Sequence, residues 1–518
     1  MKFLRAATCA ALFLLMLPFA AVRAEDVTLT SRDGTIELSG DLLGYDGEYY
    51  RVETEYGVLT VDGSGVICDG PGCPQLGAYV ARLTFSGAAE MADILLPALI
   101  EGFALRRGYR FEREVLAGGL LYTLYEGGAG GARAAELTIL RSSSGQGFAD
   151  LLGERADFAL SLREVRAKEA ELARQAGLGS LTSVREARVI ALDAMVPVVA
   201  QANPLAKISL GDLRAIFSGE ITNWREIGGE NAPISAYLTE DGSGFTEQFQ
   251  ATLMRGQELD ANVIRLPSNH ALTDAVANDP FGIGIASFAQ PGRAAILTLT
   301  GSCGFQVAAD IQAIKAEDYP LTAPLYLYLP ARRLPKVGRE FLTYLRSSAA
   351  QMVVRRAGLV DQMPGEAGIE AQGRRLANAI LAAGEEVALA DLQEMAGLMV
   401  DATRLSVTFR FRDGSSDLDA QSLSNVALLA HALEAGRYDG RILHFVGFSD
   451  GQGAADGNKA LALKRARAVL QAVSEAAETL GDGQVEMHAV AFGEALPMAC
   501  DDTPWGRQVN RRVEVWLR

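Results

Sequence analysis

The chain has 518 residues, 49% of them apolar, with 48 basic against 64 acidic side chains for a formal charge of −16. That length calls for about three domains, and the acidic balance argues against nucleic acid and anionic lipid as general partners. Four histidines, none of them forming a ligand pair, argue against a metal site, and no cofactor is expected.

The N-terminus has the pattern of a secretory signal. Lys2 and Arg5 open it, an apolar run covers residues 10–21, and Val22-Arg23-Ala24 gives a small-residue exit before Glu25. The run is too short to span a bilayer, and no later stretch is apolar enough for a membrane helix, so the mature chain is expected to be exported after cleavage near Ala24. Cys9 precedes the apolar run and lacks a lipobox. Residues 25–80 then alternate at period two between Asp-Gly and Gly turn signals, which predicts a small antiparallel β module. Cys68 and Cys73 fit a tight disulfide loop in an oxidising compartment, against the alternative of an unpaired CxxxxC, whereas Cys303 and Cys500 cannot be paired from sequence. No chemistry is assigned to this module.

From residue 81 strands alternate with helical stretches, which predicts α/β construction. Arg82-Leu-Thr-Phe-Ser-Gly87 leads into a helix at 91–103. Glu136-Leu-Thr-Ile-Leu-Arg-Ser-Ser-Ser-Gly145 leads into a helix at 147–152, and residues 234–237 with Asp241-Gly-Ser-Gly244 into one at 247–254. Three strand ends thus offer small residues at helix N-termini, where free N–H groups and the dipole favour an anion, although each alone fits an ordinary N-cap. Further segments are Asp157-Phe-Ala-Leu-Ser161-Leu-Arg163, Ile216-Phe-Ser-Gly with Asn223-Trp224 and Gly228-Gly229, Phe281-Gly-Ile-Gly284 and Tyr319-Pro-Leu-Thr-Ala-Pro-Leu-Tyr326. On these, residues 81–360 resemble the periplasmic phosphate-binding protein family (PstS-like). The resemblance implies a two-lobed type II periplasmic-binding-protein fold, with the Phe-Ser-Gly/Asn-Trp stretch serving as scaffold. It implies anion contacts from Ser144, Gly145, Ser161, Ser243, Gly244 and Ala89, and an ABC importer as partner. The family pattern is broken at Ala89, where a hydroxyl residue is usual. It is broken again at Thr239 (for the clamping arginine), Phe245 (for threonine) and Leu162 (for the aspartate that accepts the phosphate proton). Arg141 and Arg163 lie close enough in sequence to supply replacement charge, with a solvated face as the alternative. The ligand is left open among phosphate, another small anion and none.

Residues 361–400 carry Leu376, Ile380, Leu381 and Val387 at helical spacing, which predicts linker helices packed against a module. Beyond them Ser406-Val-Thr-Phe opens the last region. There Gly447-Phe-Ser-Asp450-Gly-Gln-Gly453 follows the apolar strand 442–446, and Asn458-Lys-Ala-Leu-Ala-Leu-Lys-Arg465 opens an amphipathic helix. A strand–loop–helix unit of this length can aim a carboxylate and a guanidinium at one pocket, a pair suited to a zwitterion. With Gly493-Glu-Ala-Leu-Pro497 and Asn510-Arg511-Arg512 the region 401–518 resembles the OmpA-like peptidoglycan-binding domain, a βαβαβ fold. The resemblance implies that Asp450 and Arg465, with Asn458 and Arg511, hold the diaminopimelate of the peptidoglycan stem peptide. Ser449 and Ala462 depart from its usual Thr and Ser.

The expected whole is a multidomain α/β protein: signal 1–24, β module 25–80, binding domain 81–360, helical linker 361–400 and wall-binding domain 401–518. It would be a non-catalytic periplasmic solute-binding protein of the Gram-negative envelope, attached non-covalently to peptidoglycan. The alternative is a wall-attached scaffold whose cleft takes no ligand. An enzyme is disfavoured because Ser144 and Ser243 have no neighbouring histidine in sequence and no nucleophile elbow.

Overall fold

The computed structural model describes residues 26–518 apart from 75–78, 128–129, 302, 385, 413–414, 416 and 482. The expected signal segment lies outside the described residues. The chain divides at Tyr79/Val80 into two compact units.

The first unit is a five-stranded antiparallel sheet in the order 57–62, 49–54, 37–45, 27–31, 66–69. Alternate residues Val27, Leu29, Tyr50 and Val52 turn to one side and form its core, as the period-two pattern requires. Cys68 and Cys73 are disulfide-bonded beside that core.

The second unit opens on an eleven-stranded sheet shared by two lobes. In the first lobe the parallel strands Phe158–Ser161, Ala81–Ala88 and Arg133–Ser142 lie side by side, continued by two antiparallel strands. In the second, Ser235–Thr239 runs parallel to Ile264–Leu266 and Gly282–Ser287. The long strand Ala187–Val199 crosses between them, pairing with Thr322–Tyr328 through residues 187–194 and with Gly282–Ser287 through 195–199. The two helices that open on hydroxyl loops start earlier than expected, at Ser144 and Gly244, because Ser143 and Ser243 are their N-caps. Trp224 is buried and its indole N–H donates to the Phe281 carbonyl at 2.9 Å, a scaffold role.

The C-terminal sheet runs 366–367, 403–410, 512–517, 442–448, 486–493. It therefore holds four main strands and a short edge strand, one main strand more than the expected βαβαβ. Helices Ala420–Glu434 and Ala455–Ala476 cover one face over Leu405, Val407, Phe409, Phe445 and Val515. Residues 361–400 are helical as expected, but they do more than link. Helices Gly373–Ala382 and Leu389–Met399 bury Ala379, Met395 and Met399 on Val446, Phe448 and Trp516 of the opposite face. Leu376 and Val387 pack there too, whereas Ile380 and Leu381 of the expected stripe are exposed, because Ala379 is the residue that turns inward.

The remainder of that face is polar and docks on the second lobe. Arg404 forms a two-nitrogen ion pair with Asp318 at 2.5 and 3.1 Å, and Arg410 donates to the Glu317 carbonyl at 2.6 Å. Behind them Glu514 receives Arg375 and, at 2.8 Å, Arg512. Cys303 and Cys500, 197 positions apart, are disulfide-bonded across the same seam.

Candidate functional site

In the C-terminal domain Gly447 lets the helix lie directly on the strand, since a Cβ there would come within 2.2 Å of the Ala462 carbonyl oxygen. Ala462 is fully buried, so the departure from Ser serves close packing. Asp450 and Arg465, 9% and 7% exposed, lie near enough to interact electrostatically. Asp450 Oδ2 accepts from Arg511 Nη1 at 2.7 Å, and Arg465 lies over the Phe411 ring with its guanidinium carbon 5.1 Å from the centroid. Arg465 Nε and Nη1 are buried without a hydrogen-bond partner. Burial, then repulsion from Arg511, lowers the Arg465 pKa against the opposing pull of Asp450.

Other polar groups stand here too: Ser449 Oγ is buried and unpartnered, and the Asn458 side chain is hydrogen-bonded to Glu494. Unsatisfied donors thus stand beside two carboxylates, an arrangement that can take a carboxylate on one side and an ammonium on the other. The Glu494 pKa is raised by burial and then by Glu386, Asp501 and Asp450. The loop at 498–501 is fixed by Asn510, whose amide oxygen accepts from Met498 N at 2.6 Å and Ala499 N at 3.0 Å. Its amide nitrogen donates to Ala499 O and Asp501 Oδ1, both at 2.8 Å, and Asp501 in turn accepts from Gly451 N at 2.7 Å. The sequence did not single out Glu494, within Gly493–Pro497, or Asp501. Glu494 directly follows the strand that ends at Gly493, which is the one local signal it carries.

In the bilobed domain a cavity of about 240 Å³ opens between the lobes, lined by Ala89, Glu90, Arg141, Leu162, Asp193 and Thr239 among others. Ser243 also lines it; Ser144, Gly145, Ser161 and Gly244 do not. Ser144 is fully buried and accepts from Leu162 N at 3.3 Å, while the Ser161 hydroxyl donates to the Arg163 carbonyl at 2.7 Å. Ser243 is engaged with Thr239 at 2.5 Å and caps its helix through Thr246 N. The compensating charges are also taken. Arg163 is buried in a two-point ion pair with Glu169 at 2.7 and 2.9 Å, which redirects it from ligand to scaffold. Arg141 pairs with Asp93 at 3.1 Å on a half-exposed edge of the cavity.

The residue that reaches the helix N-terminus is Glu90. Its Oε1 accepts from Phe245 N at 3.3 Å and its Oε2 is buried without a partner. A Cβ on Gly244 would lie 3.1 Å from that second oxygen. The amides that the sequence assigns to an anion therefore face a carboxylate of the chain itself. Burial raises the Glu90 pKa, with the amides of Phe245 and Gly244 opposing. Across the cavity Asp193, which accepts from Ser287 Oγ at 2.5 Å, is pushed up to about 6 by burial.

Comparison with known proteins follows this division. Residues 120–349 match the PBP superfamily domain and residues 410–511 match the OmpA family. Protein SphX of Synechococcus elongatus is 24% identical over 228 residues, 42% of this chain and 66% of that protein. The phosphate-binding protein PstS of Bacillus subtilis is 29% identical over 163 residues, 30% of this chain and 52% of that one. The chain thus spans about two thirds and half of the lengths of these relatives. Among solved structures, an ABC-type phosphate transport receptor from Vibrio cholerae covers 54% of the chain and 99% of its own length at 19% identity and TM-score 0.42. PstS from Borrelia burgdorferi covers 54% and 98% at 17% identity and TM-score 0.38. The chain joins a PBP superfamily domain to a C-terminal OmpA family domain.

Proposed function

We propose that the chain is an exported binding protein of the Gram-negative periplasm that attaches non-covalently to peptidoglycan through its C-terminal domain. Its bilobed cleft offers phosphate or a related small oxoanion a place near the wall, for an ABC importer. The observation that carries the attachment is the buried, unpartnered edge of Arg465 beside the Asp450 carboxylate. Such an edge costs on the order of 1–3 kcal/mol per unsatisfied group until a ligand carboxylate meets it. An amino acid carrying both charges, the diaminopimelate of the stem peptide, supplies that carboxylate and an ammonium for Asp450. Retention on purified peptidoglycan tests this: wild type is expected to sediment with the wall and the Asp450→Ala/Arg465→Ala variant to stay in solution. Equal retention would sink the proposal.

The name of the relative PstS supports phosphate as the cleft's ligand. A second reading, a scaffold that binds no small ligand, is favoured by Glu90, whose carboxylate already accepts from the Phe245 amide. Calorimetric titration of the full chain with phosphate separates the two. Saturable heat at micromolar concentration supports the receptor, and silence across common oxoanions supports the scaffold.

A further inference from the structure

A second cavity, also of about 240 Å³, lies at the seam between the first lobe and the C-terminal domain. Strand Ala187–Val199 contributes Arg188, the end of helix Lys336–Leu345 contributes Arg346, and the segment after Val360 contributes Gln362. Helix Ala420–Glu434 closes it with Ser424 and His431. We propose that this seam is a binding site for a small multivalent oxoanion, clasped by Arg188 and Arg346 and hydrogen-bonded by the Gln362 amide.

Three observations carry this. First, Arg188 and Arg346 face one cavity and neither forms an ion pair among the described residues, although the chain has 64 acidic side chains against 48 basic ones. Arg188 is half-buried and Arg346 exposed, whereas the buried guanidiniums of Arg163, Arg404 and Arg512 are matched by Glu169, Asp318 and Glu514. Second, Arg188 Nε is buried without a hydrogen-bond partner. Third, Gln362 is 8% exposed and its Nε2, a donor, is likewise buried and unpartnered, while its backbone N–H is held by Gln351 Oε1 at 2.8 Å. Arg346 repels the half-buried Arg188 across the cavity, and the two orphaned donors on it are each costly. One oxoanion with two or more charges answers all of them, because a guanidinium meets phosphoryl or carboxylate oxygens through parallel N–H bonds.

The surrounding charges agree. Burial lowers the Arg188 pKa to about 10, with Arg346 as the next cause, and Glu186 opposes. Glu186 accepts a hydrogen bond from Ser183 Oγ, and Glu434, which also lines the cavity, accepts from Thr479 N and Oγ1, both at 2.9 Å. Those carboxylates are thereby oriented to other partners. The site is separate from the cleft between the lobes, with which it shares no lining residue.

Equilibrium dialysis of the full chain against labelled inorganic phosphate, and separately against citrate, tests the proposal. Wild type is expected to bind one equivalent at the seam. Arg188→Gln/Arg346→Gln is expected to lose that equivalent with at least a hundredfold weaker binding, and Gln362→Leu to weaken it about tenfold, the value of one hydrogen bond. If phosphate also occupies the cleft, wild type binds two equivalents and the double variant one. Unchanged stoichiometry and affinity in a double variant that keeps its far-ultraviolet spectrum overturns the proposal, as does absence of binding of either anion by wild type at millimolar concentration. Should the double variant not fold, Arg188→Lys and Gln362→Leu decide it. Wild-type affinity in both overturns the site.

Discussion

Under the proposed receptor function, Glu90 is the side chain on which phosphate binding in the cleft is expected to turn. Burial favours its neutral form. When ionised, its carboxylate competes with an incoming anion for the Phe245 amide; when protonated, it does not. Phosphate binding is therefore expected to strengthen as pH falls through the raised Glu90 pKa. Glu90→Gln, which mimics the protonated form, is expected to bind phosphate about tenfold tighter at neutral pH and to lose the pH dependence. Calorimetry at two pH values reads both effects, and equal affinity of the two proteins at every pH would remove Glu90 from the site. Arg465 calls for a different test, because its worth lies in geometry. Lysine keeps the charge but not the Nε–Nη1 edge left unpartnered over Phe411. Arg465→Lys is expected to reduce retention on peptidoglycan at least tenfold. Full retention would mean that charge alone suffices.

At the scale of strands and helices, the polar half of the C-terminal sheet is the costly surface. Burial alone would raise the Glu514 pKa, but Arg375, Arg404 and Arg512 hold it well below the usual carboxylate range. Removing one member of such a cluster strands a buried charge. Arg404→Met is expected to lower stability by about 3–5 kcal/mol in chemical denaturation, leaving Asp318 without its bidentate partner. A loss under about 1 kcal/mol would show the cluster to be dispensable. The elements themselves were legible from the sequence. Period two gave the N-terminal strands, and serines before glycine marked the helix starts, off by three residues because Ser143 and Ser243 cap rather than precede them. Gly447 and the following Asp450 loop likewise marked the end of strand Ile442–Phe448. The docking was not legible. Asp318 and Arg404 lie 86 positions apart, and nothing local distinguishes them from a solvated acid and base. Nor could the sequence show that Glu90 folds back on an amide 155 residues away, or that Arg163 meets Glu169 rather than a ligand.

For the whole unit from Val80 onward, pH is the variable that tests how the domains are joined. Glu317, next to Asp318 at the docking seam, is pushed up to about 8 by burial first and by Asp419 next. Its folded pKa lies above the unfolded value near 4.5, so its contribution to stability is full below the unfolded pKa. That contribution declines as pH rises and is gone above about 8. Glu317→Gln is expected to stabilise the protein by about 1–3 kcal/mol at pH 8 and to have little effect at pH 4. Thermal melts at the two pH values check this, and an equal shift at both would contradict it.

The Cys303–Cys500 bond has a mechanical consequence. Cys500 adjoins Asp501, which holds the Gly451 amide beside Asp450. A pull on a peptide held beside Asp450 would pass through the Gly451–Asp501 hydrogen bond to Cys500, and from there through the disulfide to Cys303. The disulfide thereby ties the loop beside Asp450 to the segment between strands Thr298–Thr300 and Gln306–Val307, so that a load on one is shared by the other.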